Sequence, residues 1–222
     1  HHSSLASKQQ GSKVVAAFRH GVLSLSNLDY NVISKIDADL ELPPNYFKTI
    51  MNAFQEDRQL GIVGGQIMEF SDGKWIVIPQ SYYEVRGALK SYSAECYRAM
   101  GGIKPYLGWD GLDIMTAWHQ GWKTKYLKIG VKHFRPANND YNITELNYEF
   151  GISNYTLGGN LILAIVRAIV KLFTKPYARN GISFMQGYIH AMMSKTPKIV
   201  SKELAKYINR FHWNRLLNLR RY

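Results

Sequence analysis

The chain has 222 residues, 46% of them hydrophobic, which is enough for a sizeable buried core and too much for a disordered polymer. One cysteine, Cys96, excludes an intrachain disulfide framework and fits a reducing, cytoplasmic setting. The formal net charge of +12 is unevenly placed: residues 1–150 hold 16 Lys and Arg against 15 Asp and Glu, whereas residues 151–222 hold 12 against Glu203 alone.

In chain order, Tyr30 to Ile36 is rich in β-formers, with apolar residues at 32, 33 and 36. It reads as a buried strand that delivers Asp37 and Asp39 to a loop at its C-terminal end. Pro43-Pro44 supplies a fixed φ suited to a helix's first turn, and Tyr46, Phe47, Ile50, Met51 and Phe54 recur at helical spacing. Gly61–Met68 and Lys74–Ile78 flank Ser71-Asp72-Gly73, which predicts a hairpin. A helix is expected from Ser93, a capping hydroxyl, to Gly101-Gly102, and another from about Asp110 to His119 with Gly121 as its stop. A short strand follows near Lys125 to Ile129, and Asn138-Asn139-Asp140 reads as a loop. Alternating strands and helices predict an α/β domain over residues 1–150. Residues 151–222 form a basic helical appendage, with helices over 161–173, 183–194 and 201–219.

Asp37 and Asp39 point to the same side of an extended loop, so two carboxylates can converge on a hard divalent cation that also holds a diphosphate. Such a cation stabilises charge developing on a leaving nucleoside diphosphate. A turn or helix-capping Asp pair is the bland alternative. Asp110 at a helix's first turn serves either as a general base or as a cap, and Asp113 lies one turn later. Trp109, beside them, is a packing residue or a platform for a sugar ring.

Ile36-Asp-Ala-Asp-Leu-Glu-Leu-Pro-Pro-Asn-Tyr-Phe47 resembles the acidic motif of family 2 glycosyltransferases and the helix after it. The fold of that family is called GT-A. Gly61-Ile-Val-Gly-Gly65, Ala94–Gly102 and Leu107–Asp113 with Gly121-Trp122 are similar to later segments of the family, in the family's order, so the resemblance covers residues 11–136. It implies transfer of a sugar from a nucleoside-diphosphate donor to an acceptor hydroxyl of a glycan or lipid-linked acceptor, with inversion and with Mn²⁺ or Mg²⁺. Asp39 with His133 would then hold the metal, Asp37 would meet ribose or metal, and Lys13 would lie near the nucleotide. Asp110, eleven residues before Gly121, takes the place of the family's catalytic base. Many relatives carry Glu-Asp where this chain has Trp109-Asp110, so the choice between Asp110 and Asp113 stays open. Family members normally begin with a strand, helix and strand that hold the nucleobase, and nothing of that kind precedes residue 11, which implies a domain truncated at its front.

No run reaches the roughly 18 uninterrupted apolar residues of a membrane span, because Arg167 and Lys171 break the best candidate, Leu161 to Phe173. The polar start beginning His1-His2-Ser3 does not read as a signal peptide. Arg167 and Lys171 lie one turn apart on an otherwise apolar helix, which permits an in-plane helix with its basic groups towards anionic headgroups, extended by Lys175, Arg179, Lys195, Lys198 and Lys202. The expected placement is cytoplasmic, peripheral on the inner membrane face. Two rival readings remain: an inactive α/β scaffold whose basic tail binds membrane or nucleic acid, and another metal-dependent nucleotidyl-transfer enzyme. Nucleic acid is not the expected partner, since the domain with the motifs is almost neutral.

Overall fold

The computed structural model describes residues 12–25, 29–81, 83–135 and 142–217. The expected loop at Asn138–Asp140 lies outside them. The chain divides into two compact units, one within residues 14–105 and 109–137, the other within 138–221 with 106–108 and the first 13 residues.

The first unit is a mixed α/β layer structure. Its elements are α1 (Ser12–Ser24), β1 (Val32–Ile36), β2 (Leu40–Glu41), α2 (Tyr46–Glu56), β3 (Leu60–Ser71), β4 (Lys74–Val77), β5 (Leu89–Ser93), α3 (Ala94–Ala99), α4 (Trp109–His119) and β6 (Lys123–His133). The strands form one sheet in the order β1-β5-β3-β6-β2, with β4 paired to β3. β3 and β6 are parallel, whereas β5 runs antiparallel to both β1 and β3. Accordingly β1, β3 and β6 all end on the same side of the sheet.

Alternation along the strands assigns the faces. Leu89 of β5 joins Tyr46, Ile50, Ala53 and Phe54 of α2, with Leu60, Val63, Ile67 and Val131, in one apolar cluster. Lys90 and Tyr92 point the other way, where Tyr92 meets Tyr97 of α3 edge to face and Lys90 reaches α4. Helices therefore cover both faces of the sheet. The glycines of Gly61-Ile-Val-Gly-Gly65 have a packing reason: a Cβ on Gly61 would lie 2.5 Å from Cys96 Sγ, and one on Gly64 2.4 Å from the Leu89 carbonyl oxygen. The β3–β6 register also shifts there.

The expected hairpin is present, closed by Asp72 and Gly73 at φ of 50° and 78°, the left-handed pair that a tight two-residue turn demands. Ser93 caps α3 by accepting from the Cys96 N–H. One expectation changes. The strand expected over 125–129 runs from Lys123 to His133, because it pairs with β3 along its length. Lys13 falls on helix α1 and is exposed.

The second unit holds α5 (Ile143–Thr156), α6 (Leu161–Leu172), α7 (Arg179–Met193) and α8 (Lys202–Leu216). Side-chain caps start three of them: Asn142 for α5, Asn160 for α6 and Ser201 for α8.

Candidate active site at the strand ends

Leaving β1, the chain carries Asp37, whose N–H donates to the Ala88 carbonyl at 2.9 Å, and then Asp39, whose carbonyl accepts from Phe134 N–H at 3.0 Å. Between those two anchors the acidic segment crosses from the end of β1 to the end of β6. It thus lies at the C-terminal ends of the parallel strands, where open α/β sheets collect ligand-binding groups.

The Asp37 carboxylate is taken by Lys35, a β1 lysine that is only 4% exposed. Lys35 also donates to the Gly87 carbonyl at 2.9 Å. Across the ladder it stands opposite Lys90, which is fully buried. Two facing lysines repel unless each has its own acid. Lys35 has Asp37, and Lys90 has Asp113 at 2.7 Å. Both ammonium groups also sit over the Trp109 ring, at 5.2 and 5.4 Å from its centre. That ring is 7% exposed, so it packs under the lysines and offers little area to a sugar.

Asp113 is buried, accepts from the Tyr92 hydroxyl at 2.5 Å and bonds the Ile114 N–H at 2.7 Å. Burial pushes its carboxyl above the usual carboxylate range, while Lys90 and Tyr92 pull the other way. Burial, with the facing Asp113, raises the Tyr92 hydroxyl well above its ordinary value. A group so enclosed holds the sheet to α4 through Lys90 and Tyr92. Asp110 differs. It is exposed in the first turn of α4, and Lys90 grips its backbone carbonyl. Gly87 leaves it room: a Cβ there would lie 3.0 Å from Asp110 Cβ and 3.4 Å from Oδ2. Asp37, Lys35, Gly87, Trp109 and Asp110 thereby share one neighbourhood.

A second group forms where β2 and β3 flank the end of β6. His133 stands opposite Leu40 on one side and Glu69 on the other. Its Nε2 is 3.6 Å from Asp39 Oδ1, and its Nδ1 is 3.7 Å from Glu69 Oε1. Neither spacing is a hydrogen bond. Two ligands each about 2.1 Å from a cation lie at most about 4.2 Å apart, so Asp39 and His133 fit as two ligands of one ion. Glu69 faces the other ring nitrogen and cannot join them, although it can orient the imidazole from behind. Among the described residues no set of three His, Cys, Asp or Glu could hold a metal ion. Two protein ligands suit an ion whose shell is completed by substrate phosphates. Lys132 is engaged by Glu41 at 2.7 Å, and Arg135 is exposed.

Sequence reasoning passed over Lys35, Lys90 and Glu69, and took Tyr92 for a packing residue only. The available signal was polar side chains at inward positions of strands, Lys35 just before the acids and Lys90 between Leu89 and Tyr92. A cavity of about 390 Å³ lies at the other end of the sheet, lined among others by Tyr30, Arg58, Ser93 and Arg98, and holds none of the residues singled out above.

No family model and no curated protein matches the sequence. Among solved structures the chain is similar to the mannosyltransferase PcManGT from Pyrobaculum calidifontis in complex with GDP-Man and Mn²⁺, at 12% identity and a TM-score of 0.41. The likeness covers 96% of this chain and 61% of that one, so the chain spans less than two thirds of its neighbour's length. A likeness at that score assigns neither family nor substrate.

Proposed function

We propose that the α/β unit is a GT-A-type glycosyltransferase domain that moves a sugar from a nucleoside-diphosphate donor to an acceptor hydroxyl, related to family 2. The carrying observation is the gathering at the strand ends: Asp39 and His133 at ligand spacing, and exposed Asp110 beside the Lys35–Asp37 pair. The resemblance of Ile36–Phe47 to the family's acidic motif supports the same reading.

In this reading Asp39 and His133 are the residues that would hold Mn²⁺ or Mg²⁺. The ion, when bound, neutralises charge on the departing diphosphate. Lys35 fixes the Asp37 carboxylate towards the donor ribose. Asp110 accepts the proton of the acceptor hydroxyl as that oxygen attacks the anomeric carbon from the side opposite the diphosphate, which inverts the configuration. Lys90, clamped by Asp113 and Tyr92, fixes the first turn of α4 and hence the place of Asp110. Asp113 is a positioning residue in this scheme.

Asp110→Asn tests the assignment. Transfer should fall by a factor on the order of 10² or more while donor affinity stays within about twofold. Full activity in the variant would remove Asp110 from the chemistry.

A further inference from the structure

The helical unit joins a partly polar interior to an apolar outer face on one helix. Its interior combines an apolar cluster of Ala164, Ala168, Phe184 and Tyr188 with an unusual number of buried polar groups, Asn147, Ser153, Asn154, Thr156, Asn180 and Ser183. Its helices meet at backbone distance, since a Cβ on Gly187 would lie 2.0 Å from the Tyr148 carbonyl oxygen and one on Gly151 2.0 Å from that of Phe184. Asn209 ties α8 to the α5–α6 turn, donating to Gly158 O at 2.8 Å and accepting from Asn160 N–H at 3.0 Å. Meanwhile α6 turns large apolar groups to the outside: Ile162 is 62% exposed, Val170 60% and Phe173 76%, with Leu161, Ile165 and Ile169 exposed beside them.

The two basic residues of α6 do not relieve this face. The sequence suggested that Arg167 and Lys171 would reach outward, and the structure turns both inward. Lys171 donates to Asn147 Oδ1 at 2.6 Å and lies over the rings of Phe150 and Phe184. Arg167 is half-buried on the side of Arg215 and His212. One half of the α6 surface is therefore free of charge along the helix's whole length. Small residues between closely packed helices and large apolar groups facing out form the pattern expected of helices that contact lipid.

Occupancy of this face is decided by charge and length. From residue 151 to the end the chain has 12 Lys and Arg and one acid, a net of +11, so a second copy docking through the same region would meet strong repulsion. At the Phe173 end of α6, Lys175 and Arg179 are exposed with Tyr177 between them, a basic and aromatic rim of the kind that sits at a headgroup layer. With 12 residues, α6 is about 18 Å long, short of the roughly 30 Å hydrocarbon layer. No described helix is long and apolar enough to cross a membrane. A helix with these properties lies in the plane of the interface.

We infer that the α6 face of Leu161, Ile162, Ile165, Ile169, Val170 and Phe173 docks in-plane into an anionic lipid surface, with Lys175 and Arg179 against the headgroups. This stands apart from the catalytic reading and needs no turnover to be tested. Flotation of the whole chain with phosphatidylcholine vesicles, and with vesicles of phosphatidylcholine and phosphatidylglycerol in equal parts, is the experiment. The chain should float with the anionic vesicles and weakly or not at all with the neutral ones. Ile165→Asp with Ile169→Asp should weaken that binding by about tenfold or more, and Lys175→Glu with Arg179→Glu by about tenfold. Both Ile positions are solvent-exposed, so the far-UV circular dichroism spectrum should not change, and the milder Phe173→Ser provides a second reading of the same face. Failure of the unaltered chain to bind anionic vesicles would overturn the inference, as would binding indifferent to the Ile165 and Ile169 changes. A dimer that these changes dissociate, with no vesicle binding, would give the face to a second copy instead.

Discussion

Both units bury an apolar cluster, but they differ in the polar groups they admit and in the apolar face that α6 leaves outside. In the α/β unit, Ile50, Ile62, Val63, Leu89 and Val131 are all but fully buried, and the buried lysines each have an acid, Lys35 with Asp37 and Lys90 with Asp113. In the helical unit Leu163, Phe184, Tyr188, Leu204, Ile208 and Phe211 are buried among small and polar residues, while the isoleucines, Val170 and Phe173 of α6 face out. Hydrophobic burial within the chain explains the first arrangement. It leaves the apolar face of the second unexplained unless something outside the chain covers it. The two proposals follow the same division, with chemistry assigned to the α/β unit and lipid attachment to the helical one.

The contrast can be broken at its strongest point first. Asp113→Ala strands the buried Lys90 ammonium and should cost about 3–5 kcal/mol, measured by urea unfolding. A loss under about 1 kcal/mol would show that the pair is solvated and that Asp113 is free for another role. Next comes a matched pair of isoleucines. Ile50→Ala, in the α/β core, should cost about 2–5 kcal/mol, whereas Ile165→Ala on α6 should stay within about 0.5 kcal/mol in detergent-free buffer. Equal losses would mean that α6 packs inward after all.

The last of these effects is acid-linked. Burial, with Arg167 and Arg215 adding, lowers His212 to about 3 from its ordinary 6.5. Because the unfolded chain takes up that proton first, stability from His212 is complete above about pH 6.5 and is lost as the pH falls towards about 3. The melting temperature of the chain should therefore decline over that range by a few degrees more than that of His212→Gln. Parallel curves would place the ring in solvent.

Much of the scaffold could be read from local pattern. The strand ending at Asp37, the Asp72-Gly73 hairpin, the Ser93 cap and the helix beginning beside Asp110 each follow from a few neighbouring residues whose chemistry permits little else. What could not be read depends on partners far along the chain. Lys35 looks like an ordinary strand lysine until the register sets it opposite Lys90. Asp113 and Asp110 are equivalent acids in sequence, and only the packing of α4 on β5 buries one and exposes the other. The same holds for Arg167 and Lys171. An amphipathic period shows that α6 has two faces, but which of them turns inward is decided by α5 and α7, through Asn147, Phe150 and Phe184. Glu69 acquires meaning only through its place beside His133 across the parallel ladder.

The central claim is a metal-assisted donor site at Asp39 and His133. Its most direct test is calorimetric titration with UDP, GDP and their sugar conjugates, with and without Mn²⁺, on the unaltered chain and on Asp39→Ala. The account predicts binding of one nucleotide that requires the metal and weakens by about tenfold or more in the variant. Binding that ignores Mn²⁺ and survives Asp39→Ala unchanged, or no binding of any of these nucleotides, would contradict it.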